Sequence, residues 1–198
     1  IPVSFPIALQ RDRVDVAHFQ YVGPPLCPCP VVLSVHDISF EFFPEFFPAA
    51  QRARLRALIP FSIGRARHVL TLSEFSRRQM IDRYRLAPER VTVTPLAAGR
   101  CFRPIEDESA LRRTVAGLGV QSPFILAVGN LQPRKNLERL LSAYASLRGS
   151  GRNEHKLVLV GPRAYRSSHL LGQVRALGLE RNVVLTGYVS EAQLVALY

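Results

Sequence analysis

Short apolar runs alternate along the chain with stretches in which apolar positions recur every three or four residues. The runs predict buried strands over residues 14–19, 31–35, 68–72 and 91–94, then over 124–128, 157–160 and 183–185. The periodic stretches predict helices over 49–63, 74–84, 107–116, 137–147 and 168–177, with a last helix opening after Ser190. Ser73 stands where a side chain would cap the helix at 74, and Ser190 with Gln193 has the spacing of a capping box. Pro24, Pro25, Pro28 and Pro30 make the first connection a rigid loop, and EFFPEFFP at 41–48 reads as an aromatic loop punctuated by proline.

Near-continuous apolar strands separated by helices indicate an α/β fold with parallel sheets covered on both faces. The alternation is interrupted at 96–106, which predicts two α/β units, 1–103 and 104–198, rather than one. The chain starts at Ile1 without an initiator Met and stops at Tyr198 inside a newly opened helix, so both units are expected to be incomplete.

Charge adds a second layer. The formal net charge is +11, and only Lys135 and Lys156 of the 26 basic residues are lysine. The excess is shared evenly between the two halves, without a basic tail. The densest stretch, Arg52 to Arg85, holds nine Arg against Glu74 and Asp82. A solvated helix face is the default meaning of such a stretch. A peripheral contact with an anionic membrane and a nucleic-acid surface are the others. The nucleic-acid reading lacks a recognition motif and interleaved stacking aromatics, so no nucleic-acid partner is expected. Cys27, Cys29 and Cys101 are an odd number without regular spacing, which argues against a disulfide scaffold and for a reducing, cytoplasmic setting. Cys27-Pro-Cys29 is too tight for a zinc pair of the two-residue-spacer type, and no metal site is expected. No apolar run approaches the length needed to span a bilayer.

Three places carry candidate chemistry. In FILAVGNLQPRKN (124–136) a buried strand ends at Gly129, a short polar loop containing Asn130 follows, and Asn136 is placed to cap the next helix. Arg134 and Lys135 then fall at a helix N-terminus on the carboxyl side of the sheet, where free N–H groups and the helix dipole favour an anion. Two cations there suit a diphosphate; an exposed basic turn without a ligand is the other reading. His36 and Asp37 follow a second buried strand in SVHDIS (34–39), where a His can bond a sugar hydroxyl or a phosphate oxygen, or serve the structure alone. Gly161 and Gly187, each closing a strand, permit a ligand to approach the backbone closely, with Tyr188 and Val189 following. Gly117-Leu-Gly119 lacks the third glycine of a dinucleotide fingerprint, and no P-loop, zinc-protease helix or serine elbow is present.

The segments VVLSVHDISFEFFPEFF, VLTLSEFSRRQMI, ERVTVTPLAAGRCFRP, FILAVGNLQPRKNLERLLSAY, LVLVGP and VVLTGYVSEAQLVALY, taken in this order, resemble the retaining glycosyltransferases of family 4, the group 1 transferases. The resemblance implies two Rossmann-like domains of GT-B type. Residues 1–103 would be the later part of an acceptor-side domain, and 104–198 the first part of a nucleotide-sugar donor domain. It implies that Arg134 and Lys135 bind the donor diphosphate and that His36 lies near the reacting sugar. Gly129, Asn130, Gly161, Gly187, Tyr188 and Val189 would line the donor. Ser73 and Glu74 match a further family segment, and Asn130 stands where many relatives carry Arg. The family's N-terminal glycine-rich loop and its paired glutamates would lie outside 1–198.

The activity so implied is transfer of a hexose, mannose by analogy, from GDP-mannose or a UDP-sugar to a glycan or lipid-linked acceptor. It would proceed with retention and without a metal or other cofactor, in the cytoplasm or at the inner membrane face. A non-catalytic nucleotide-sugar-binding relative is the alternative reading.

Overall fold

The computed structural model describes residues 4–151, 154–164 and 167–198. They form two compact units, Ile1–Ala97 and Ala98–Tyr198, whose join falls within the irregular connection.

The first unit opens with a helix that the apolar pattern does not predict, α1 (Ser4–Arg11). Pro6 lies in its first turn, where a missing N–H costs nothing. Four strands follow, β1 (Ala17–Gln20), β2 (Val31–Ser34), β3 (His68–Thr71) and β4 (Val91–Val93), all parallel and hydrogen-bonded in chain order. The first strand starts at Ala17 rather than at 14, because Asp15 breaks the apolar run and Val16 is exposed. Between β2 and β3 lie α2 (Ser39–Phe42) and α3 (Ala49–Arg65); α4 (Glu74–Tyr84) precedes β4. The aromatic stretch expected as a loop therefore holds the end of α2 and a single 3-10 turn, Pro44–Phe46. Pro44 starts that turn, where its fixed φ suits a first helical position.

Leu33, Val69 and Val91 stand in register on one face of this sheet and are buried against Ile59 and Ile63 of α3 and Met80 of α4. The other face departs from the two-sided burial expected. His18 Nε2 bonds Ser34 Oγ at 2.8 Å and His68 Nε2 bonds Thr92 Oγ1 at 2.9 Å, so polar pairs lie where a second apolar layer would need hydrocarbon. The helix ends follow their local sequences. Ser73 Oγ accepts from Ser76 N–H at 3.2 Å at the start of α4. Arg90 donates to the carbonyls of Ile63 (3.1 Å) and Ala66 (2.6 Å), satisfying acceptors at the end of α3.

One carboxylate ties the helices of this unit together. The Glu41 side chain on α2 is only 5% exposed and lies 3.5 Å from Arg56 of α3 and 2.9 Å from Arg83 of α4. A buried charge survives only when paired. Both arginines keep contact with water, which limits what the pairs contribute. Burial, and then the neighbouring Glu41 charge, push the Tyr84 hydroxyl above the usual phenol range.

The second unit contains α5 (Glu108–Ala116), β5 (Phe124–Val128), α6 (Leu137–Gly149), β6 (Lys156–Val160), α7 (Ser167–Ala176), β7 (Val183–Gly187) and α8 (Glu191–Leu197). Its three strands are parallel in the order β5-β6-β7. Here the sheet is covered on both faces, and β6 shows why: Leu157 and Leu159 join the cluster with Leu141, Leu170 and Val174 of α6 and α7, while Val158 and Val160 join Val115 and Leu197 of α5 and α8. Asp107 caps α5 through bonds of 2.9 Å to the N–H groups of Ser109 and Ala110, and Ser190 with Gln193 closes the expected capping box on α8.

Replacing Glu41 with Ala should lower stability by about 1.5–3 kcal/mol, the range for hydrogen bonds to charged groups. Urea unfolding should show a lower midpoint at an unchanged slope.

Candidate functional site

The three strands of the second unit converge on backbone rather than side chains. Gly129 follows β5 at φ +148°, Gly161 follows β6 at φ +139°, and Gly187 closes β7 at φ +71°, all conformations that L side chains rarely adopt. The ladder continues beyond the strands: Gly129 N–H donates to Val160 O at 2.8 Å, Gly161 N–H to Gly187 O at 2.8 Å, and Leu131 N–H to Pro162 O at 3.0 Å. Gly161 is required on steric grounds. A Cβ there would lie 2.7 Å from the carbonyl carbon of Gly129 and closer still to its oxygen.

Lys135 lies across this glycine edge. A Cβ on Gly129 would meet Lys135 Cε at 3.3 Å and Nζ at 3.8 Å, so the lysine stem runs over bare backbone. The residues reach this position by a route that differs from the one expected. Pro133–Lys135 is a 3-10 turn, with Lys135 N–H donating to Gln132 O at 3.0 Å, and α6 begins only at Leu137. Arg134 and Lys135 thus stand ahead of the helix, as expected, but in a 3-10 turn rather than an irregular loop. Asn136 holds the N-cap position at φ 52° in the left-handed region and makes no side-chain capping bond, which corrects the expected cap. Asn is among the residues that enter that region readily, so backbone conformation and not capping explains its place. The first N–H groups of α6 have no acceptor within the helix and open towards this turn.

Around the turn, Asn130, Arg134 and Lys135 are exposed, and Tyr188 is 82% exposed. Val189 is buried at 8% among Val115, Val158 and Leu197, so its side chain serves the core and only its backbone remains for a ligand. Glu138, in the first turn of α6, is held by His169 Nδ1 at 2.7 Å. The structure therefore gathers Gly129, Asn130, Arg134, Lys135, Gly161 and Gly187 at one edge of one sheet.

His36 belongs to the first unit. It lies two residues past the end of β2, half-buried, with its ring 5.3 Å from that of Tyr21 and its carbonyl accepting from Thr71 Oγ1 at 3.3 Å. Asp37 turns inward, accepting from Ser39 N–H at 2.9 Å and from Ser39 Oγ at 2.5 Å, an Asx turn that starts α2. Among the described residues, no group of three or more His, Cys, Asp or Glu is placed to hold a metal.

The family model for Glycosyltransferase Family 4 matches residues 2–97, and that for Glycosyl transferases group 1 matches residues 111–198. Between them they take in almost the whole chain, in the order of its two units. The chain belongs to the GT-B glycosyltransferases. Among the curated GT-B relatives, it is 29% identical to O-antigen chain mannosyltransferase B of Escherichia coli, over 84% of this chain and 44% of that protein. It is 25% identical to an N-acetylgalactosaminyltransferase of Campylobacter jejuni whose name gives a diphospho-undecaprenol acceptor, over 66% of this chain and 33% of that one. The chain thus spans less than half the length of these GT-B relatives. Among solved structures, the GT-B fold is shared with Anabaena HepE in complex with UDP-glucose, at a TM-score of 0.66 and 21% identity, over 99% of this chain and 47% of that one.

One residue at the glycine edge escapes sequence reasoning. Arg163 pairs with Leu131 in an isolated parallel bridge, which fixes it beside the loop that carries Asn130 and Arg134. Its signal is faint: LVLVGPR repeats the order of strand, glycine and basic residue found at 124–135.

Substituting Gly161 with Ala should cost about 1–3 kcal/mol or more, since the methyl meets fixed backbone at an adverse φ. Gly172→Ala on α7, where a Cβ meets nothing within 4 Å, should instead stabilise by about 0.5–1 kcal/mol. Thermal unfolding of the two variants against the parent should show shifts of opposite sign.

Proposed function

We propose that the whole protein transfers a hexose, mannose by kinship, from a nucleoside-diphosphate sugar to a glycan or lipid-linked acceptor. The observation that carries this reading is the glycine edge of β5, β6 and β7 with Lys135 laid over it and Arg134 beside it. Bare backbone admits a ligand closely, and fixed cations with helix N–H groups meet its phosphates. HepE, of the same fold, takes UDP-glucose, and the Escherichia coli relative is named a mannosyltransferase.

The chemistry asks little more of these groups. The bond from the anomeric carbon to the β-phosphate oxygen breaks, and negative charge grows on the leaving diphosphate. Lys135, Arg134 and the opening amides of α6 stabilise that charge more than the ground state, which is what accelerates the step. The acceptor oxygen bonds the anomeric carbon from the leaving-group side, with retention, and its proton passes to the departing phosphate. His36 is assigned to the reacting sugar. No metal or other cofactor enters this scheme.

The reading extends to a cytoplasmic protein that meets the inner membrane face. Of the stretch Arg52 to Arg85, Arg56 and Arg83 are engaged by Glu41, and Arg77 by the carbonyls of Val91 and Pro88. Arg54, Arg78 and Arg85 remain exposed, as do Phe61 and Phe75, a mixture suited to an anionic lipid surface. Among the described residues, no helix is long and apolar enough to cross a membrane.

A donor screen of the full-length protein with GDP-mannose and UDP-sugars identifies the substrate. With that donor, Lys135→Ala should reduce the transfer rate by roughly 10²–10³-fold, as loss of one positioned oxyanion donor does. Transfer at the wild-type rate would remove Lys135 from the site.

A further inference from the structure

The loop joining β1 to β2 is unusual for a parallel pair, which normally needs a helix to cross over. Here residues 21–30 make the return alone, stiffened by four prolines. The loop is held to α3 by Gly23 N–H donating to Ser62 Oγ at 3.3 Å. It brings Cys27 and Cys29 together, with Sγ atoms 3.7 Å apart and both cysteines half-buried and unbonded. Both thiols line a cavity of about 350 Å³ that is also lined by Ser62, Arg65 and Arg67. This cavity lies by Val31 and Ala66, at the amino ends of β2 and β3, whereas His36 follows the carboxyl end of β2.

Neither a structural zinc nor a purely packing role accounts for this pair. Zinc asks for four ligands, and among the described residues no third Cys, His, Asp or Glu joins the two. Packing alone does not call for two thiols facing each other in a cavity that two arginines also line. The two sulfurs are also unequal. Burial, and then the hydrogen bond with Cys27, push the Cys29 thiol up. Cys29 therefore holds its proton more firmly than an ordinary thiol and is the poorer first nucleophile.

We propose that Cys27 and Cys29 form a thiol–disulfide exchange site for low-molecular-weight disulfides of the glutathione type. The Cys27 thiolate attacks one sulfur of the small disulfide, forming a mixed disulfide and releasing one thiolate. Cys29, having lost its proton, attacks the Cys27 sulfur, closes the Cys27–Cys29 bond and releases the second thiolate. Two protein thiols are oxidised and one small disulfide is reduced to two thiols. The cavity admits the small molecule, and Arg65 and Arg67 attract its carboxylates. Closing the bond requires the sulfurs to approach from 3.7 Å to bonding distance, within reach of side-chain rotation.

The test incubates the full-length protein in glutathione buffers from reducing to oxidising poise, traps free thiols with iodoacetamide, and maps residues 27, 29 and 101 by peptide mass spectrometry. The expected result is loss of two hydrogens on the peptide carrying both Cys27 and Cys29, reversed by excess reduced glutathione, with Cys101 outside the bond. In Cys29→Ser the reaction should stop at a glutathione adduct on Cys27, and in Cys27→Ser capture at Cys29 should be slower than capture at Cys27 in Cys29→Ser. Free thiols at 27 and 29 under the most oxidising poise, stable adducts on both, or bonds to Cys101 would each overturn the proposal.

Discussion

The second unit is organised by a steric constraint: β5 and β6 approach each other so closely at their carboxyl ends that no side chain fits at residue 161. From this contact follow the continued ladder through Gly129, Leu131 and Gly161 and the bare backbone floor. The path of Lys135 over Gly129 follows as well. A Cβ at residue 161 would meet the Gly129 backbone and force the two strands apart. Glycine at 161 is set by packing, and the proposed donor site rests on the same bare backbone.

The first unit answers to a different constraint. Its sheet is apolar on one face and carries His–Ser and His–Thr pairs on the other, and its helices are drawn together by a single carboxylate, Glu41. Because Glu41 sits on the short helix that follows His36 and Asp37, the charge cluster and the Asx turn at Asp37 together fix where that segment leaves the sheet. In this unit electrostatics at Glu41 add to the apolar packing of α3 and α4 on the sheet.

Much of this was legible in the chain itself, for identifiable reasons. Strands such as 124–128 are short apolar runs bounded by Pro and Gly, and α4 and α8 carry their caps in sequence. Local signals sufficed where local physics decides. They failed where tertiary contact decides. The helix at Ser4–Arg11 buries no residue fully, and eight residues are too few for its apolar positions to fix the period. Asn136 looks like a cap but is used for its backbone, and Phe42 belongs to a helix because Asp37 and Glu41 anchor it. The cradle at Arg134 and Lys135 was visible from the order of strand, glycine and basic turn. Arg163 and the facing thiols of Cys27 and Cys29 become visible only when strands pair and loops return.

The central claim is that the donor's diphosphate lies on the glycine edge of the second unit. The most direct measurement is a crystal structure of the full-length protein with GDP or UDP bound. The account predicts the diphosphate within hydrogen-bond reach of Lys135 Nζ and the opening amides of α6, against the backbone of Gly129 and Gly161. A diphosphate bound elsewhere, with Lys135 still stretched over an empty glycine edge, would contradict it.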